Sequence, residues 1–452
     1  MRFKEALLEM RSQIAVILGL ITTGIIIFLL TDLSHMQPER FVTETDSSGK
    51  AVPTVSFTAD IPFAKHRELT ADELKMARTA WNYFENNWNS ETGLPDSVTG
   101  FHFTTLWDTS SYLLGLISAH KLEIISDENF HSRMAKALDS LATIPLYNGE
   151  LPNKAYDTKT LSMTDYQNQP SETGTGWSAI DIGRLFVPFN VIIYEYNQYT
   201  PKVRDIISRW NFSRMFINGQ LYGVTYKNGI EQLNQEGRLG YEEYVSKSFA
   251  LLGFDISEAY SYLDYTGFVE IEDVEVPVDT RSSSRFGAHT YALSEPYILD
   301  GLEFGWDYFS NEFSYRIYLA QQNRWENTGI ITAVTETALN EDPFFVYNTV
   351  FGEGKKWACL TSEGLESSAW RTLSTKAIFG WNSLYDTEYT EMLLDKAMQL
   401  TTEKNGFYAG TYESDGRTNS VTTCNTNGII LEALCYRKFG PFLRIQGRGN
   451  KD

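Results

Sequence analysis

GYEEYVSKSFALLGFD, residues 240–255, begins with two adjacent carboxylates, Glu242 and Glu243, and continues with apolar residues at helical spacing. The same periodicity recurs in ten further segments. The predicted helices cover residues 70–87, 107–122, 129–143, 177–198, 201–215, 240–254, 294–305, 307–325, 365–383, 386–402 and 421–437. Thr70, three residues before Glu73, predicts a capping box, and Pro201 and Ser420 mark the starts of two other helices.

Short strand-like pieces at 220–226, 268–278 and 405–413 lie between some of these helices. About eleven helices in one body predict a mainly α fold, an (α/α)6 toroid-type barrel with small β-hairpins in the loops. In that architecture inner helices alternate with outer ones, and the loops at one end form a cleft. A helical protein of two domains is the structural alternative.

The composition excludes several kinds of partner. The 452 residues carry a formal net charge of -20, which argues against nucleic acid and disfavours a polyanionic substrate. Only six histidines are present, and the three cysteines lack CxxC spacing, so we predict neither a metal site nor a cofactor. The pairing of these cysteines stays open. Aromatic residues make up 14%, which suits either a large core or a cleft that stacks on sugars.

The amino terminus predicts a membrane anchor. Residues 12–31, SQIAVILGLITTGIIIFLLT, contain no charge and are long enough to span a bilayer as one helix. Arg2, Lys4 and Arg11 precede this span, so the positive-inside rule leaves residues 1–11 in the cytoplasm and the body outside. We expect a stalk at 32–69, one toroid domain at 70–440 and a tail at 441–452. The expected location is a bacterial inner membrane, with the body in the periplasm.

Several predicted helices start with an acid beside an aromatic residue. The combination occurs in LWDTS (106–110), GWSAIDIGRL (176–185), GYEEY (240–244) and YALSEPYILDGLEFGWD (291–307). Each acid alone is explained by the helix macrodipole or by capping. If alternate helices point the same way, however, these ends converge on one cleft, and paired carboxylates are what glycosidic cleavage requires.

The two adjacent glutamates can be separated by helical geometry. Glu243 lies on the side of Lys247, which predicts an i,i+4 ion pair, whereas Glu242 lies above the small residues Ser246 and Gly253. Glu242 is therefore the leading catalytic candidate. A helix N-terminus lowers a carboxyl pKa, so the division of roles between acid and base stays open. The catalytic candidates are Glu242, Asp108, Asp181, Glu243 and Glu295. The candidates for substrate binding are Trp107, Trp177, Tyr241, Arg285, His289, Tyr291, Tyr297, Trp306 and Trp370.

A second constellation, DTRSSSRFGAHTY at 279–291, brings Arg281, Arg285, His289 and Tyr291 into one segment. We interpret it first as a hydrogen-bonding cluster. The alternative is a polysaccharide lyase, in which arginine neutralises a uronate and tyrosine or histidine moves the proton.

The strings LWDTSSYLLGLISAHKL, GWSAIDIGRLFVPF, GYEEYVSKSFALLGFD, VEVPVDTRSSSRFGAHTY, SEPYILDGLEFGWD and RTLSTKAIFGWNSLY resemble the bacterial family catalogued as domain of unknown function 3131. The resemblance covers about residues 70–440. It implies an architecture related to glucan-active α/α toroids, including glucoamylase-like proteins, and a periplasmic glycan hydrolase or transglycosylase acting on a β-glucan or exopolysaccharide. It also implies polysaccharide synthesis machinery as a partner. A non-catalytic glycan-binding or assembly protein is the remaining alternative.

Overall fold

The computed structural model describes residues 55–262, 265–402 and 404–444, together with the backbones of three short strands, β1 (Glu39–Arg40), β2 (Thr43–Thr45) and β3 (Ala51–Pro53). The predicted membrane span at 12–31 and most of the predicted tail lie outside these residues. Within the described part, no helix has both the length and the apolar character needed to cross a bilayer.

Twelve α-helices occur among the described residues. They are α1 (Ala71–Asn86), α2 (Leu106–Lys121), α3 (Asp127–Thr143), α4 (Ala179–Glu195), α5 (Thr200–Ser208), α6 (Tyr241–Ala250), α7 (Ser283–Phe286), α8 (Glu295–Phe304), α9 (Tyr308–Thr328), α10 (Thr375–Leu384), α11 (Glu388–Ala397) and α12 (Cys424–Phe439). Each predicted helix is present. The segment predicted at 365–383 becomes helical only from Thr375, because a 3₁₀ turn at Ser368–Trp370 and a strand precede it.

Six of these helices form a closed inner ring. Helices α2, α4, α6, α8, α10 and α12 each pack on the next, and α12 packs on α2. Outside the ring, α1 packs on α12, α3 on α2, α5 on α3 and α4, α9 on α8, and α11 on α10. The prediction of an α/α toroid is confirmed. Between α6 and α8, where a sixth outer helix would lie, the chain forms a β-hairpin against α9.

Burial distinguishes the two rings. Outer helix α1 buries Met76, Ala77, Trp81 and Phe84 on one face and leaves most of its charged residues outside, as an amphipathic helix does. Inner helix α4 is buried without interruption from Ile182 to Ile192, because it contacts helices on both sides as well as the ring interior.

The strands among the described residues are short and pair antiparallel in the connections between helices. After β3 they are β4 (Phe103–Thr105), β5 (Leu146–Tyr147), β6 (Leu151–Pro152), β7 (Ala155–Asp157), β8 (Phe216–Ile217), β9 (Gln220–Lys227), β10 (Ile230–Gln235), β11 (Thr266–Ile271), β12 (Val274–Asp279), β13 (Tyr291–Ala292), β14 (Glu336–Ala338), β15 (Phe345–Asn348), β16 (Phe351–Gly352), β17 (Lys355–Lys356), β18 (Cys359–Leu360), β19 (Thr372–Ser374), β20 (Thr401–Thr402), β21 (Gly406–Tyr412) and β22 (Thr418–Thr422). The piece predicted at 268–278 is the hairpin β11–β12, which turns at Glu272 and Asp273 in the left-handed region.

Of two helix starts predicted from the sequence, one is present in the structure and the other is not. Thr70 Oγ1 accepts a hydrogen bond from the Glu73 N–H at 3.2 Å, and the Glu73 carboxylate accepts from the Thr70 N–H at 2.8 Å, so the predicted capping box is present. Ser420 does not start a helix, because it lies within β22, and Thr423 caps α12 instead.

The segment before α1 lies against the ring. The Thr58 N–H donates to Glu312 at 2.8 Å, the Ala64 N–H donates to the Leu384 carbonyl at 2.9 Å, and the Asp386 N–H donates to the Pro62 carbonyl at 2.8 Å. The second part of the predicted stalk, from residue 55 onward, is therefore bound to the body. Cys359, Cys424 and Cys435 are each buried and form no disulfide.

Candidate active site

The N-terminal ends of the inner helices meet at one end of the ring. Trp107, in the first turn of α2, donates its indole N–H to Glu295 Oε1 of α8 at 3.0 Å. Asn425 of α12 donates to the same oxygen at 2.9 Å. Lys376 of α10 forms an ion pair with the other oxygen of Glu295. Tyr241 of α6 packs edge-on against Trp107, with ring centroids 5.6 Å apart.

We call this end of the ring the mouth. It comprises Trp107, Asp108, Asp181, Glu236, Tyr241, Glu295, Glu336, Tyr347, Lys376 and Asn425. Five of the predicted site residues are thus brought together: Trp107, Asp108, Asp181, Tyr241 and Glu295. The residues of the mouth that were not predicted are Glu236, Glu336, Tyr347, Lys376 and Asn425. The first three lie in loops and strands, where no helical pattern marks them.

Asp181 and Glu336 are the two carboxyl groups of the mouth whose pKa is raised to about 7, and of these Asp181 is the one without a partner among the described residues. Burial, reinforced by the negative charges on Glu236 and Asp108, raises the pKa of Asp181 to about 7, while Lys154 acts in the opposite direction. Within the described residues, the Asp181 carboxylate has no hydrogen-bond or ion-pair partner. The residue is only partly buried, so a ligand in the mouth could reach it.

Glu236 lies beside Asp181 at the start of α4. It follows strand β10 in the connection to α6, and its carboxylate accepts a hydrogen bond from the Ala179 N–H at 2.5 Å. Burial raises the pKa of Glu236, whereas Lys154 and the first N–H groups of α4 favour the ionised form. The chain leaves room for this carboxylate at Gly223, where an added Cβ would collide with it.

Glu295 and Glu336 form a second carboxyl pair. Burial and the negative charge of Glu295 raise the pKa of Glu336 to about 7. Burial also disfavours ionisation of Glu295, but Lys376 and the hydrogen bonds that Glu295 accepts outweigh it and hold its pKa below the ordinary range. Tyr241 donates its hydroxyl to Glu336 at 2.6 Å. Because both oxygens of Glu295 are occupied by donors, this pair fixes the positions of Trp107, Tyr241 and Lys376.

Asp108 lies at the edge of the mouth and has local partners. Ser97 and Thr105 donate their hydroxyls to its Oδ2 at 2.5 and 2.8 Å. Burial raises the pKa of Asp108 despite these hydrogen bonds.

Glu242 and Glu243 point away from the mouth. Tyr241 and Tyr244 of the same helix face Trp107, so the two residues between them, at ~100° per residue, face outward. Glu242 is only 3% exposed and pairs with Arg281 at 2.7 Å. Glu243 accepts the Gly240 N–H at 2.7 Å, as a helix-capping side chain does.

The predicted ion pair between Glu243 and Lys247 is wrong. Lys247 is buried and instead pairs with Asp300 at 2.5 Å and Asp307 at 2.8 Å. Helix α6 is buried on nearly all sides. Its charged residues Glu242 and Lys247 therefore pair with residues of neighbouring elements and not with each other along the helix surface.

Four predicted sugar-binding aromatic residues lie elsewhere. Trp177 is fully buried and donates to the Tyr222 carbonyl. Trp306 lies beyond the opposite end of α8 and donates to the carbonyl of Tyr297, which is also buried. Trp370 packs on Tyr412 in a small separate apolar cluster.

The predicted residues of segment 279–291 whose side chains the structure describes lie in different surroundings and do not form one cluster. Arg281 is buried and pairs with Asp279 as well as Glu242, so it is not free to neutralise a substrate. His289 lies 3.3 Å from Glu353, and Tyr291 stacks on Tyr347 at the edge of the mouth. The side chain of Arg285 lies outside the described residues.

No group of three or more histidine, cysteine, aspartate or glutamate side chains in the described part of the chain is arranged to hold a metal ion.

Comparison with known proteins agrees with this architecture. The model of a family described as protein of unknown function, DUF3131, matches residues 75–440. No curated protein matches the sequence at a significant level. Among solved structures, a glucoamylase-like protein from Bacteroides caccae ATCC 43185 superposes with a TM-score of 0.59 at 12% identity, over 82% of this chain and 94% of the other.

Two endo-β-1,2-glucanases have the same fold. The enzyme from Chitinophaga pinensis, solved with sophorotriose and glucose, has a TM-score of 0.59 at 11% identity, over 82% of this chain and 94% of its own. The enzyme from Talaromyces funiculosus, solved with sophorose, has a TM-score of 0.51 at 13% identity, over 82% and 84%. At these identities the similarity establishes the fold alone.

Proposed function

The chain belongs to the DUF3131 family, and we propose that it is a glycan-active enzyme, a glycoside hydrolase or transglycosylase acting on a neutral glucan or exopolysaccharide. The family description leaves the activity open. One observation carries the proposal. Asp181, whose pKa is raised to about 7 and whose carboxyl group has no partner among the described residues, lies beside the second carboxylate Glu236.

Asp181 is our candidate for the proton donor. A general acid must be protonated near the working pH and must be free to approach the glycosidic oxygen. Asp181 meets the first condition through burial and neighbouring negative charge, and the second through its unpaired, partly exposed carboxyl group.

Glu236 is our candidate for the second carboxylate. Two acids that lie close together do not both ionise readily, so a proton on Asp181 favours the anion on Glu236. Lys154 and the amide N–H groups of α4 stabilise that anion further. In this assignment Asp181 gives its proton to the leaving glycosidic oxygen. Glu236 takes a proton from the water or sugar hydroxyl that attacks the anomeric carbon.

The Glu295–Glu336 pair has a positioning role in this proposal. Glu295 holds the Trp107 indole and Lys376, and Glu336 accepts the Tyr241 hydroxyl. These contacts fix two aromatic side chains that touch each other and on which a sugar ring would pack.

The charge of the mouth supports a neutral substrate. Five carboxyl groups lie there, and the two lysines among them, Lys376 and Lys154, interact with these acids. A uronate-rich chain would be repelled, and Arg281, one of the two arginines in the lyase interpretation, is already paired. The neutral sugars in the structures of the two endo-β-1,2-glucanases, sophorotriose, glucose and sophorose, are consistent with this choice.

We also propose the location from the sequence. The uncharged segment 12–31, preceded by Arg2, Lys4 and Arg11, supports a single anchor in the inner membrane of a bacterium, with the toroid in the periplasm. A polysaccharide synthase beside this anchor would supply the substrate.

Product analysis tests the proposed function. The body from residue 55 onward is incubated with β-1,2-, β-1,3-, β-1,4- and α-1,4-glucans and with the bacterial exopolysaccharide, and shortened or rearranged chains are identified by mass spectrometry. We expect products with the wild-type protein and their loss with Asp181→Asn and with Glu236→Gln. Intact glycans throughout the panel would refute the proposal.

A comparison variant separates the two catalytic assignments. Glu242→Gln removes the carboxylate favoured by the sequence argument while leaving the mouth intact. We expect Glu242→Gln to be less stable, because Arg281 loses a buried partner, but to form products at the temperature where it is folded. Complete loss of products in folded Glu242→Gln, with full activity in Asp181→Asn, would return the catalytic role to Glu242.

A further inference from the structure

The hairpin formed by β14 and β15, residues 336–348, extends outward from the mouth. Glu336 pairs with Tyr347, Thr337 with Val346, and Ala338 with Phe345. Because directly opposed residues in an antiparallel pair share one face, Glu336 and Tyr347 lie on the same face of the hairpin. Phe345 lies two residues further along this face, roughly 7 Å away by the rise of a β-strand.

This face is directed toward the carboxyl groups of the mouth. Tyr347 lies directly opposite Glu336 in the hairpin, and burial together with the charges on Glu336 and Asp181 raises the pKa of its hydroxyl. The Tyr241 hydroxyl reaches Glu336 from the other side at 2.6 Å. Tyr347 is therefore the innermost ring of an aromatic series that begins at the proposed active site.

The opposite face of the hairpin is packed and cannot take a ligand. Val346 is fully buried in a small apolar cluster with Leu339, Cys359 and Tyr412, and Trp370 packs against that cluster. The predicted substrate-binding residue Trp370 thus supports the back of the hairpin. Tyr291, from β13, stacks on Tyr347 with centroids 4.2 Å apart and an angle of 12° between the rings, which holds the front face rigid.

One large ring at the outer end of this face is partly in solvent, and a second large ring lies exposed at the turn next to it. Phe345 is 38% exposed and packs edge-on against Tyr347, with centroids 5.2 Å apart. Phe344, at the turn, is 63% exposed and has φ of 64°. A bulky residue in the left-handed region is unusual, and such backbone conformations concentrate at ligand-binding and catalytic sites.

We propose that the exposed face of the β14–β15 hairpin is a binding platform for the sugar units of a polysaccharide chain that extends beyond the cleavage point. The inference deepens the proposed function and rests on it for the identity of the ligand. The rings of Phe345 and Phe344 stack on the apolar faces of successive pyranoses, while Tyr347 lies next to the bond held at Asp181. The platform makes the protein selective for long chains over disaccharides.

Binding without turnover tests the platform directly. In the Asp181→Asn background, the affinities for β-1,2-, β-1,3- and β-1,4-glucan and for the matching disaccharides are measured by calorimetry. We expect one polymer to bind more tightly than its disaccharide. Phe345→Ala should weaken binding of that polymer about tenfold, equivalent to ~1.4 kcal/mol, and leave disaccharide binding unchanged. Phe345→Trp should retain the affinity for the polymer, since a flat ring is kept.

Phe439→Ala is the matched control. Phe439 is 46% exposed and lies at the far end of α12, away from the mouth, so its replacement should not affect polymer binding. The platform is refuted if no polymer binds more tightly than its disaccharide, or if Phe345→Ala binds polymer as the control does. Polymer binding that depends on Phe345 without any cleavage by the wild-type protein would instead overturn the proposed function and leave the platform standing.

Discussion

Replacing Gly183 with alanine should destabilise the toroid, because α4 and α6 touch at this residue. An added Cβ would lie 2.5 Å from Val245 Cβ and 2.9 Å from Phe249 Cε2, well inside van der Waals contact. Overpacking of this kind costs ~1–3 kcal/mol. Gly183 follows Asp181 by two residues in α4, so the same close approach positions the proposed proton donor.

Gly115→Ala is the matched substitution. Gly115 lies inside inner helix α2, and its added Cβ would meet Gly428 Cα at an ordinary 3.4 Å. Both variants gain the same helix propensity, ~1 kcal/mol, so the difference between them isolates the overpacking at α4–α6. Differential scanning calorimetry should place the melting temperature of Gly183→Ala roughly 1–4 °C below that of Gly115→Ala. Equal melting temperatures would refute the close approach of α4 and α6.

Two further predictions concern charges. Lys154→Met removes a positive charge that lowers the pKa of both Asp181 and Glu236. Because both pKa values then rise, the whole bell-shaped pH profile of kcat/KM should move to higher pH. A shift to lower pH would contradict the assignment of Asp181 and Glu236 as the catalytic pair. Arg184 is fully buried between Glu303 and Glu432, and Arg184→Met should lower the free energy of unfolding by ~3–5 kcal/mol because two buried carboxylates lose their cation. Adding Glu303→Gln and Glu432→Gln to this variant should restore most of the lost free energy of unfolding, as measured by urea denaturation. A triple variant as unstable as Arg184→Met would show that the unpaired carboxylates do not cause the loss of stability.

Much of the fold could be predicted from periodicity. The helical spacing located the main helices, and the repeated acid and aromatic residues at their starts predicted a common end, where Trp107, Asp181 and Glu295 now lie. The prediction succeeded because inner helices of a toroid run in the same direction. The sixth outer helix of an (α/α)6 barrel is missing where the sequence predicted a strand-like piece, at 268–278, and the structure has the hairpin β11–β12 there.

The site was predicted less completely, for physical reasons. Glu236 lies in a loop and Glu336 in the short strand β14, and only the closure of the ring brings them beside Asp181 and Glu295. The choice between Glu242 and Glu243 assigned partners by spacing along helix α6 itself. Because α6 is buried on nearly all sides, neighbouring elements supply the ion-pair partners of its charged residues.

The central claim, that Asp181 is the proton donor of a glycosidase, is tested most directly by changing how much the leaving group needs a proton. Rates of Asp181→Asn and wild-type protein are compared on the glucan that is cleaved and on a nitrophenyl glycoside of the same sugar, whose leaving group departs without protonation. We predict a loss of about 10²–10⁴ on the glucan and a much smaller loss on the nitrophenyl glycoside. An equal loss on both substrates, or no loss on either, would contradict the assignment.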